Sequence, residues 1–314
     1  MKKNKVFIDG SAGTTGLRIR ERLGAREDLL LITLPEELRK DPAARAAAIN
    51  SADVAFLCLP DDAAREAVKM AENPDTVIID ASTAHRTAPG WAYGFPELGP
   101  DFEEKIRASG RIAVPGCHAG GFIALVYPLI RSGLLSADAQ LSCFSLTGYS
   151  GGGKKMIAEY EAEPLPSYYE APRVYGLTQG HKHLKEMTAV TGLRQPPVFL
   201  PTVGNFYSGM EVSVQLFASM LRGGASADDV RVVYAETYRG LVRYAEAPDE
   251  NGFLSAGRYS GTDGMEISVS GNAERFVLTA RYDNLGKGAS GAAVECMNLA
   301  LGVEKTTGLT LLEE

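Results

Sequence analysis

The sequence predicts an α/β protein, with a doubly wound parallel sheet followed by an α+β domain. Three observations predict it. In the first third, short runs rich in Val, Ile and Leu alternate with amphipathic segments, as buried parallel strands joined by helical crossovers do. A glycine-rich turn follows the first apolar run. After about Val114 the candidate strands become longer and alternate apolar with polar residues, the pattern of half-buried antiparallel strands.

The first five strands are expected at 6–8, 29–34, 54–59, 76–79 and 112–114, with helices at 17–23, 42–49 and 63–71 between them. The segment 116–130 reads as a glycine-rich turn running into an apolar helix. Strands at 141–146, 211–216 and 275–282 look antiparallel, so the second sheet is expected to be mixed or antiparallel. The stretch 161–178, with Pro164, Pro166 and Pro172, reads as irregular. The tail, 289–301, is apolar at helical spacing and is placed back on the first domain. The resulting division is residues 1–116 with 285–314 as a nucleotide-binding domain, and 117–284 as a catalytic and dimerisation domain.

The chain has 314 residues, 45% hydrophobic and 23% charged, which suits a folded globular protein of about two domains. Its net charge is −7, which argues against nucleic acid as a bulk partner. No apolar run approaches the roughly 20 residues of a membrane-spanning helix, so no membrane partner is expected. The basic start, Met1-Lys2-Lys3-Asn4-Lys5, leads into core-like residues without a signal-peptide pattern, and a cytoplasmic location is expected. The four cysteines, Cys58, Cys117, Cys143 and Cys296, form no C-x-x-C pair and read as separate reduced thiols.

The first strand runs into Gly10-Ser11-Ala12-Gly13-Thr14-Thr15-Gly16 and then a helix. This G-x-x-G-x-x-G spacing is a variant of the Rossmann-type dinucleotide turn. Its glycines allow a tight turn and close approach of a pyrophosphate to helix-end amides. All seven residues are candidate nucleotide contacts. At the end of the second strand Glu36 or Glu37 could hold a ribose hydroxyl, whereas Arg39 and Lys40 could meet a 2′-phosphate. The two cations favour NADP as cofactor. Ser82, in the loop after the fourth strand, is a further candidate contact.

Cys117 stands in Val114-Pro115-Gly116-Cys117-His118-Ala119-Gly120-Gly121, a turn that opens a helix. A helix N-terminus stabilises a thiolate, which is the nucleophilic form of cysteine. Gly116, Ala119 and Gly120 leave room for a substrate, and amides there can face an oxyanion. The other three cysteines lie within strands or a helix and read as inert small hydrophobes. His181 and His183 precede a helix start and supply a general acid or base, with His183 narrowly preferred. As an i,i+2 pair they could bind metal, but no neighbouring cluster completes a site, so none is expected. His118 adjoins Cys117, but neighbouring side chains on a helix diverge. His85 reads as a satisfied hydrogen-bonder. For the substrate's anionic groups the candidates are Arg86 and the turn Gly148-Tyr149-Ser150-Gly151-Gly152-Gly153-Lys154-Lys155. Consecutive amides of that turn could form an anion nest, with a mobile loop as the equal alternative. Arg173 and Lys182 are weaker candidates.

Taken together, the Gly10 to Gly16 turn, Tyr93-Gly94-Phe95-Pro96-Glu97-Leu98, Pro115-Gly116-Cys117, His181-Lys182-His183-Leu184-Lys185-Glu186-Met187 and Asp283-Asn284-Leu285-Gly286-Lys287-Gly288-Ala289 resemble the short type of N-acetyl-gamma-glutamyl-phosphate reductase. That family sits in the semialdehyde dehydrogenase superfamily, and the resemblance spans nearly the whole chain. It implies NADPH-dependent reduction of an acyl phosphate to an aldehyde in arginine biosynthesis, with release of inorganic phosphate. The architecture and chemistry would be shared with aspartate-semialdehyde and glyceraldehyde-3-phosphate dehydrogenases. The family's nucleophile falls on Cys117 and its histidine within the pair His181 and His183. Asn284, Lys287 and Gly288 would line the nicotinamide side. Glu295-Cys296 stand where Gln-Asn is expected, and Lys185 where a proline is expected. A homodimer or homotetramer is expected, paired through the second sheet. The rival readings are a reductase of an aspartyl or aminoadipyl substrate, a non-catalytic NADP-binding redox sensor, and a Cys–His hydrolase, which leaves the glycine turn without a role.

Overall fold

A computed structural model describes residues 3–312; the outermost two positions at each end, Met1 and Lys2 of the basic start among them, lie outside the described residues. The chain forms two compact units. One runs to Pro115 and takes in Ala289–Leu309; the other comprises Gly116–Gly288 and the segment from Thr310.

The first unit is a six-stranded, wholly parallel sheet. Its strands are β1 (Asn4–Asp9), β2 (Leu29–Ile32), β3 (Val54–Leu57), β4 (Val77–Asp80), β5 (Ala92–Tyr93) and β6 (Arg111–Ala113), in the order β2-β1-β3-β4-β6-β5. Helices α1 (Thr14–Gly24), α2 (Pro42–Ser51), α3 (Asp61–Met70) and α4 (Pro100–Ala108) connect them. Strands β1 to β4 read as unbroken apolar runs because each feeds two cores. Val6 and Ile8 of β1 join Ile19 and Leu23 of α1 in one cluster, while Phe7 between them joins Ala48 and Ile49 of α2 and Ala64 and Ala67 of α3 in the other. Successive side chains of a strand point to opposite faces, so both alternations must be apolar. Asp41 caps α2 by accepting the Ala44 amide at 2.7 Å, and Pro42 occupies the first helical position, where a missing N–H costs nothing. The short β5 and helix α4 go beyond the elements that the sequence pattern predicts.

The second unit holds a seven-stranded mixed sheet. Its elements are α5 (Cys117–Arg131), β7 (Ser142–Gly148), α6 (Gly153–Tyr160), β8 (Arg173–Val174), α7 (His183–Thr191), β9 (Val198–Gly204), β10 (Met210–Phe217), α8 (Ala227–Thr237), β11 (Val242–Tyr244), β12 (Met265–Gly271) and β13 (Arg275–Tyr282). The order is β11-β12-β13-β10-β7-β9-β8. β7, β10 and β13 pair antiparallel, as their alternation predicts, whereas β7–β9 and β11–β12 are parallel. The supposedly irregular stretch contains the edge strand β8, paired antiparallel to β9.

The chain then returns to the first unit as α9 (Gly291–Ala300), whose Ala292, Ala293, Val294, Met297 and Leu299 are buried in that unit's larger core cluster. Among the described residues no helix is long and apolar enough to cross a membrane.

Candidate active site

The glycine turn of the first unit can only be built from glycine at two points. Gly10 has φ +83°, and a Cβ there would lie 2.3 Å from the Cys58 carbonyl oxygen. A Cβ on Gly16 would lie 2.5 Å from the Gly10 carbonyl oxygen. Gly13 precedes α1: its N–H donates to Gly10 O at 2.9 Å and its carbonyl accepts from the Leu17 N–H at 2.8 Å. The turn therefore lies flat on the end of β3 and leads into the N-terminus of α1, where first-turn amides have no intrahelical acceptor. Beside it is a cavity of about 660 Å³, whose lining includes Gly10, Ser11 and Ala12, a size suited to a bound small molecule. Glu36, Glu37, Arg39 and Lys40 line the same cavity. Thr14, Thr15 and Gly16 form the start of α1 and are not among the residues lining it.

One feature here has no signal in the sequence. Arg45 of α2 reaches back to Asp9, at the end of β1, with Nη2–Oδ2 at 2.8 Å and Nε–Oδ2 at 3.0 Å. Both side chains are buried. Buried carboxylates need such a partner, and this one sits immediately before Gly10.

Ser82 is drawn to Asp80. Its N–H and hydroxyl donate to the two carboxylate oxygens at 2.9 and 2.7 Å. His85 Nδ1 lies 2.6 Å from the same carboxylate, and its ring stacks on Trp91 with centroids 4.1 Å apart. His85 is thus the satisfied structural histidine expected. Arg86 donates from Nε to Val114 O at 2.8 Å and from Nη2 to Ala81 O at 3.2 Å, so much of its guanidinium holds backbone.

In the second unit, Cys117 is the first residue of α5 and is half-buried. The other thiols differ. Burial, then the Asp80 and Asp9 carboxylates, push Cys58 up to about 12. Burial likewise raises Cys143, and Cys296 is buried with its Sγ 3.5 Å from Gly94 O. Desolvation disfavours a thiolate.

Three contacts hold the Cys117 turn. Glu186 of α7, buried at 2% exposure, accepts the Gly116 N–H at 2.8 Å. The Tyr282 hydroxyl of β13 donates to the Cys117 carbonyl and accepts the Gly121 N–H, bridging two groups that a regular helix pairs with each other. Gly121 has to be glycine, because a Cβ there would lie 2.6 Å from that hydroxyl. On the other side Gly288 approaches so closely that a Cβ on it would lie 3.1 Å from Cys117 Cβ. Gly120 lies within the first turn of α5, its N–H bonded to Gly116 O at 2.8 Å.

Three histidines converge in this unit. His181 and His183 have ring centroids 4.7 Å apart, and His118 lies 5.9 and 5.7 Å from them. The His183 N–H donates to His181 Nδ1 at 3.2 Å, which leaves the proton of a neutral His181 on Nε2. Burial, then the Lys182 charge, lower the His181 pKa. His118 is buried between Ser145 and Tyr175. Adjacency to Cys117 on one helix gave no sign of the Ser145 and His183 side chains that β7 and α7 bring to it. Among the described residues no group of three or more His, Cys, Asp or Glu is arranged to hold a metal ion.

From Tyr149 on, the turn 148–155 takes helical form. Tyr149–Gly152 form a 3₁₀ turn that continues into α6. The amides of Gly148, Tyr149 and Ser150 donate to the carbonyls of Gly209, Phe206 and Tyr207, and that of Gly153 to Ser150. Ser150 and Asn284 are brought together: Asn284 Nδ2 donates to Ser150 Oγ at 3.0 Å, while its Oδ1 accepts the Gly209 N–H at 2.9 Å. Lys287 is buried close by in sequence, in the π-helical turn Gly286–Ser290. Arg173 is engaged with tyrosines, its guanidinium 3.7 Å from the Tyr169 ring centroid, and Lys182 is exposed.

The fold and this thiol site define a semialdehyde dehydrogenase. Residues 6–106 match the semialdehyde dehydrogenase NAD-binding domain, and 117–284 match the semialdehyde dehydrogenase dimerisation domain. The chain is similar in fold to aspartate semialdehyde dehydrogenase II of Vibrio cholerae, with a TM-score of 0.73 at 17% identity over 96% of this chain and 99% of that one. It is similar likewise to aspartate semialdehyde dehydrogenase with NADP from Candida albicans, with a TM-score of 0.65 at 14% identity and 96% and 99% coverage. Within this class the chain belongs to the N-acetyl-gamma-glutamyl-phosphate reductase family. It is 44% identical over 327 residues to N-acetyl-gamma-glutamyl-phosphate reductase 2 of Nostoc sp., covering 98% of this chain and all (100%) of that protein. It is 46% identical over 307 residues to the N-acetyl-gamma-glutamyl-phosphate reductase of Chelativorans sp., covering 95% and 98%.

Proposed function

We propose that this chain reduces N-acetyl-glutamyl 5-phosphate to N-acetyl-glutamate 5-semialdehyde with NADPH, as a step of arginine biosynthesis. The observation that carries the reading is the placement of Cys117: one half-buried thiol at a helix N-terminus, clamped by Glu186, Tyr282 and Gly288, in a chain whose full-length relatives carry that reductase name. The aspartyl alternative, by contrast, is supported only at the level of fold.

The Cys117 thiolate adds to the acyl carbon, and the carbonyl oxygen takes up the negative charge. Its collapse expels phosphate and leaves a thioester on Cys117. First-turn amides of α5 stabilise the charge on oxygen. NADPH, when bound, supplies the hydride that reduces the acyl group. Departure of the aldehyde returns the thiol. One histidine of the pair moves the proton, and His181 suits this best. It is half-buried where His183 is buried, its tautomer is fixed by the His183 amide, and its lowered pKa keeps it a neutral base near pH 7.

The cavity and glycine turn of the first unit fit a dinucleotide, and Arg39 and Lys40 in its lining suit a 2′-phosphate. The Candida relative in fold carries NADP. Assembly as a homodimer or homotetramer through the second sheet is supported by the match to a dimerisation domain and by exposed Val174, Val198 and Leu200 on β8 and β9.

The test is the reverse reaction: N-acetyl-glutamate semialdehyde, phosphate and NADP⁺, followed by nicotinamide absorbance, with Cys117→Ser alongside. Phosphate-dependent reduction that vanishes in the variant is expected. Reduction without a phosphate requirement, or activity only with aspartate semialdehyde, refutes the reading.

A further inference from the structure

His118 bridges two hydroxyls. Its Nδ1 lies 2.6 Å from Ser145 Oγ and its Nε2 lies 2.7 Å from the Tyr175 hydroxyl. The ring is 3% exposed; burial, then the nearby His181, push its pKa down to about 3. It is therefore neutral under working conditions, with one ring N–H and one lone pair.

Two arrangements are possible, and Ser145 decides between them. Ser145 is fully buried on β7, and among the described residues His118 is the sole hydrogen-bond partner of its hydroxyl. If Nδ1 carried the proton, the Ser145 O–H would have no acceptor in a dry interior, at a cost of about 1–3 kcal/mol. The Ser145 O–H therefore donates to Nδ1, the His118 proton sits on Nε2, and Nε2–H donates to the Tyr175 oxygen. That leaves the Tyr175 O–H pointing its proton away from His118. Among the described residues His118 is also the sole hydrogen-bond partner of that hydroxyl. Tyr175 is partly exposed. Its hydroxyl is bound to the side chain of the residue that follows Cys117 in α5, and burial, then the Cys117 charge, push its pKa up. The phenol is thus a neutral donor anchored to the residue next to the nucleophile.

We propose that Tyr175 donates a hydrogen bond to the carbonyl oxygen of the acyl group as the Cys117 thiolate adds to it, and that Ser145 and His118 fix the direction of that donor. The bond forming is S–C; the C=O π pair moves to oxygen, and the Tyr175 proton stays on the phenol. The proposal rests on the reading of Cys117 as the acyl acceptor. Tyr175 is then a catalytic residue, and Ser145 and His118 are positioning residues.

The experiment compares wild type, Tyr175→Phe and Ser145→Ala on three readouts: kcat and KM with the acyl phosphate, the pH dependence of Cys117 alkylation by iodoacetamide, and melting temperature. Losing one oxyanion donor typically lowers kcat by about 10²–10³-fold. For Tyr175→Phe we expect a loss near 10²-fold in kcat with KM nearly unchanged, the split of an interaction made only in the transition state. Alkylation should match wild type, and melting should fall only modestly, as the His118 Nε2–H loses its acceptor. Ser145→Ala frees the imidazole tautomer and should lower kcat by a smaller factor, again with alkylation intact. A Tyr175→Phe enzyme within twofold of wild-type kcat overturns the proposal. So does a kcat loss that comes with slowed alkylation, since that marks a displaced Cys117. A wild type that alkylates rapidly at Cys117 but turns over no acyl phosphate refutes the parent reading, and this proposal with it.

Discussion

Asp9 and Arg45 form a two-pronged, buried ion pair at the foot of the glycine turn, with Arg45 Nη2 and Nε 2.8 and 3.0 Å from one carboxylate oxygen. A pair of this kind contributes little net stability against an apolar substitute, but removing one partner strands a buried charge, at about 3–5 kcal/mol. Arg45→Met should therefore lower the urea midpoint sharply, and the double variant Asp9→Asn/Arg45→Met should recover most of the loss. If the single and double variants are equally unstable, Arg45 acts by packing rather than charge. Arg45 also lines the cavity beside the glycine turn, so Arg45→Met should weaken dinucleotide binding as the Asp9 charge goes unopposed there.

Gly288 sets the position of Cys117. A Cβ at 288 would meet Cys117 Cβ and Asp283 O, each at 3.1 Å, closer than packed carbon atoms settle. Gly288→Ala should shift the thiol by a few tenths of an ångström. Small misplacements at a reacting centre are costly, so kcat/KM should fall roughly tenfold and iodoacetamide alkylation should slow in step. Gly24→Ala, where nothing lies within 4 Å of the new atom, is the control and should be silent in both assays.

The His181 pKa lies below its ordinary 6.5, first through burial and then through Lys182. If neutral His181 is the working base, kcat/KM falls on acidification only once the pH drops below 6.5. Removing the Lys182 charge relieves one cause of the depression. Lys182→Met should therefore move this acid limb upward while leaving the plateau rate nearly unchanged. A limb that stays put in Lys182→Met, or that shifts only in His183 variants, would transfer the role to His183.

The first unit was largely legible because its strands are buried on both faces. Val6, Phe7 and Ile8 serve two cores at once, and a continuous apolar run between helical patterns marks a strand covered on both sides. The place of Cys117 at a helix start was legible from its turn, since glycines around one thiol are a local signal. What escaped was non-local or short. β5 has two residues, too few to show a period. In β9, Pro201 breaks up the strand composition, although Pro has a place at bulges and edges. The Glu186–Gly116 bond joins residues 70 apart in sequence, and His118–Ser145 joins residues 27 apart. No spacing rule reaches that far, so the supports of the thiol became visible only once α7, β7 and β13 were packed around it. The bonds from Arg86 to backbone and from Asn284 to Ser150 were hidden in the same way, since composition does not reveal partners.

His118 carries a cost that pH makes measurable. In the unfolded chain it titrates near 6.5, whereas burial, then His181, hold it near 3 in the fold. Between those values the unfolded chain binds a proton that the folded chain refuses. This contribution to stability is therefore intact above pH 6.5 and is lost progressively as the pH falls toward 3. One group refusing one proton gives a slope of about 1.4 kcal/mol per pH unit. His118→Gln removes that group, so the variant is the less stable protein at pH 7, having lost a bridge between Ser145 and Tyr175. Its stability should then fall less steeply on acidification, and the gap to wild type should narrow between pH 7 and pH 5. Urea unfolding of both chains across that range measures the difference, in which carboxylates common to both cancel. A gap constant with pH would mean that His118 takes up its proton within the fold. A protonated imidazole has no lone pair for the Ser145 hydroxyl, and the fixed tautomer that directs Tyr175 would be lost with it.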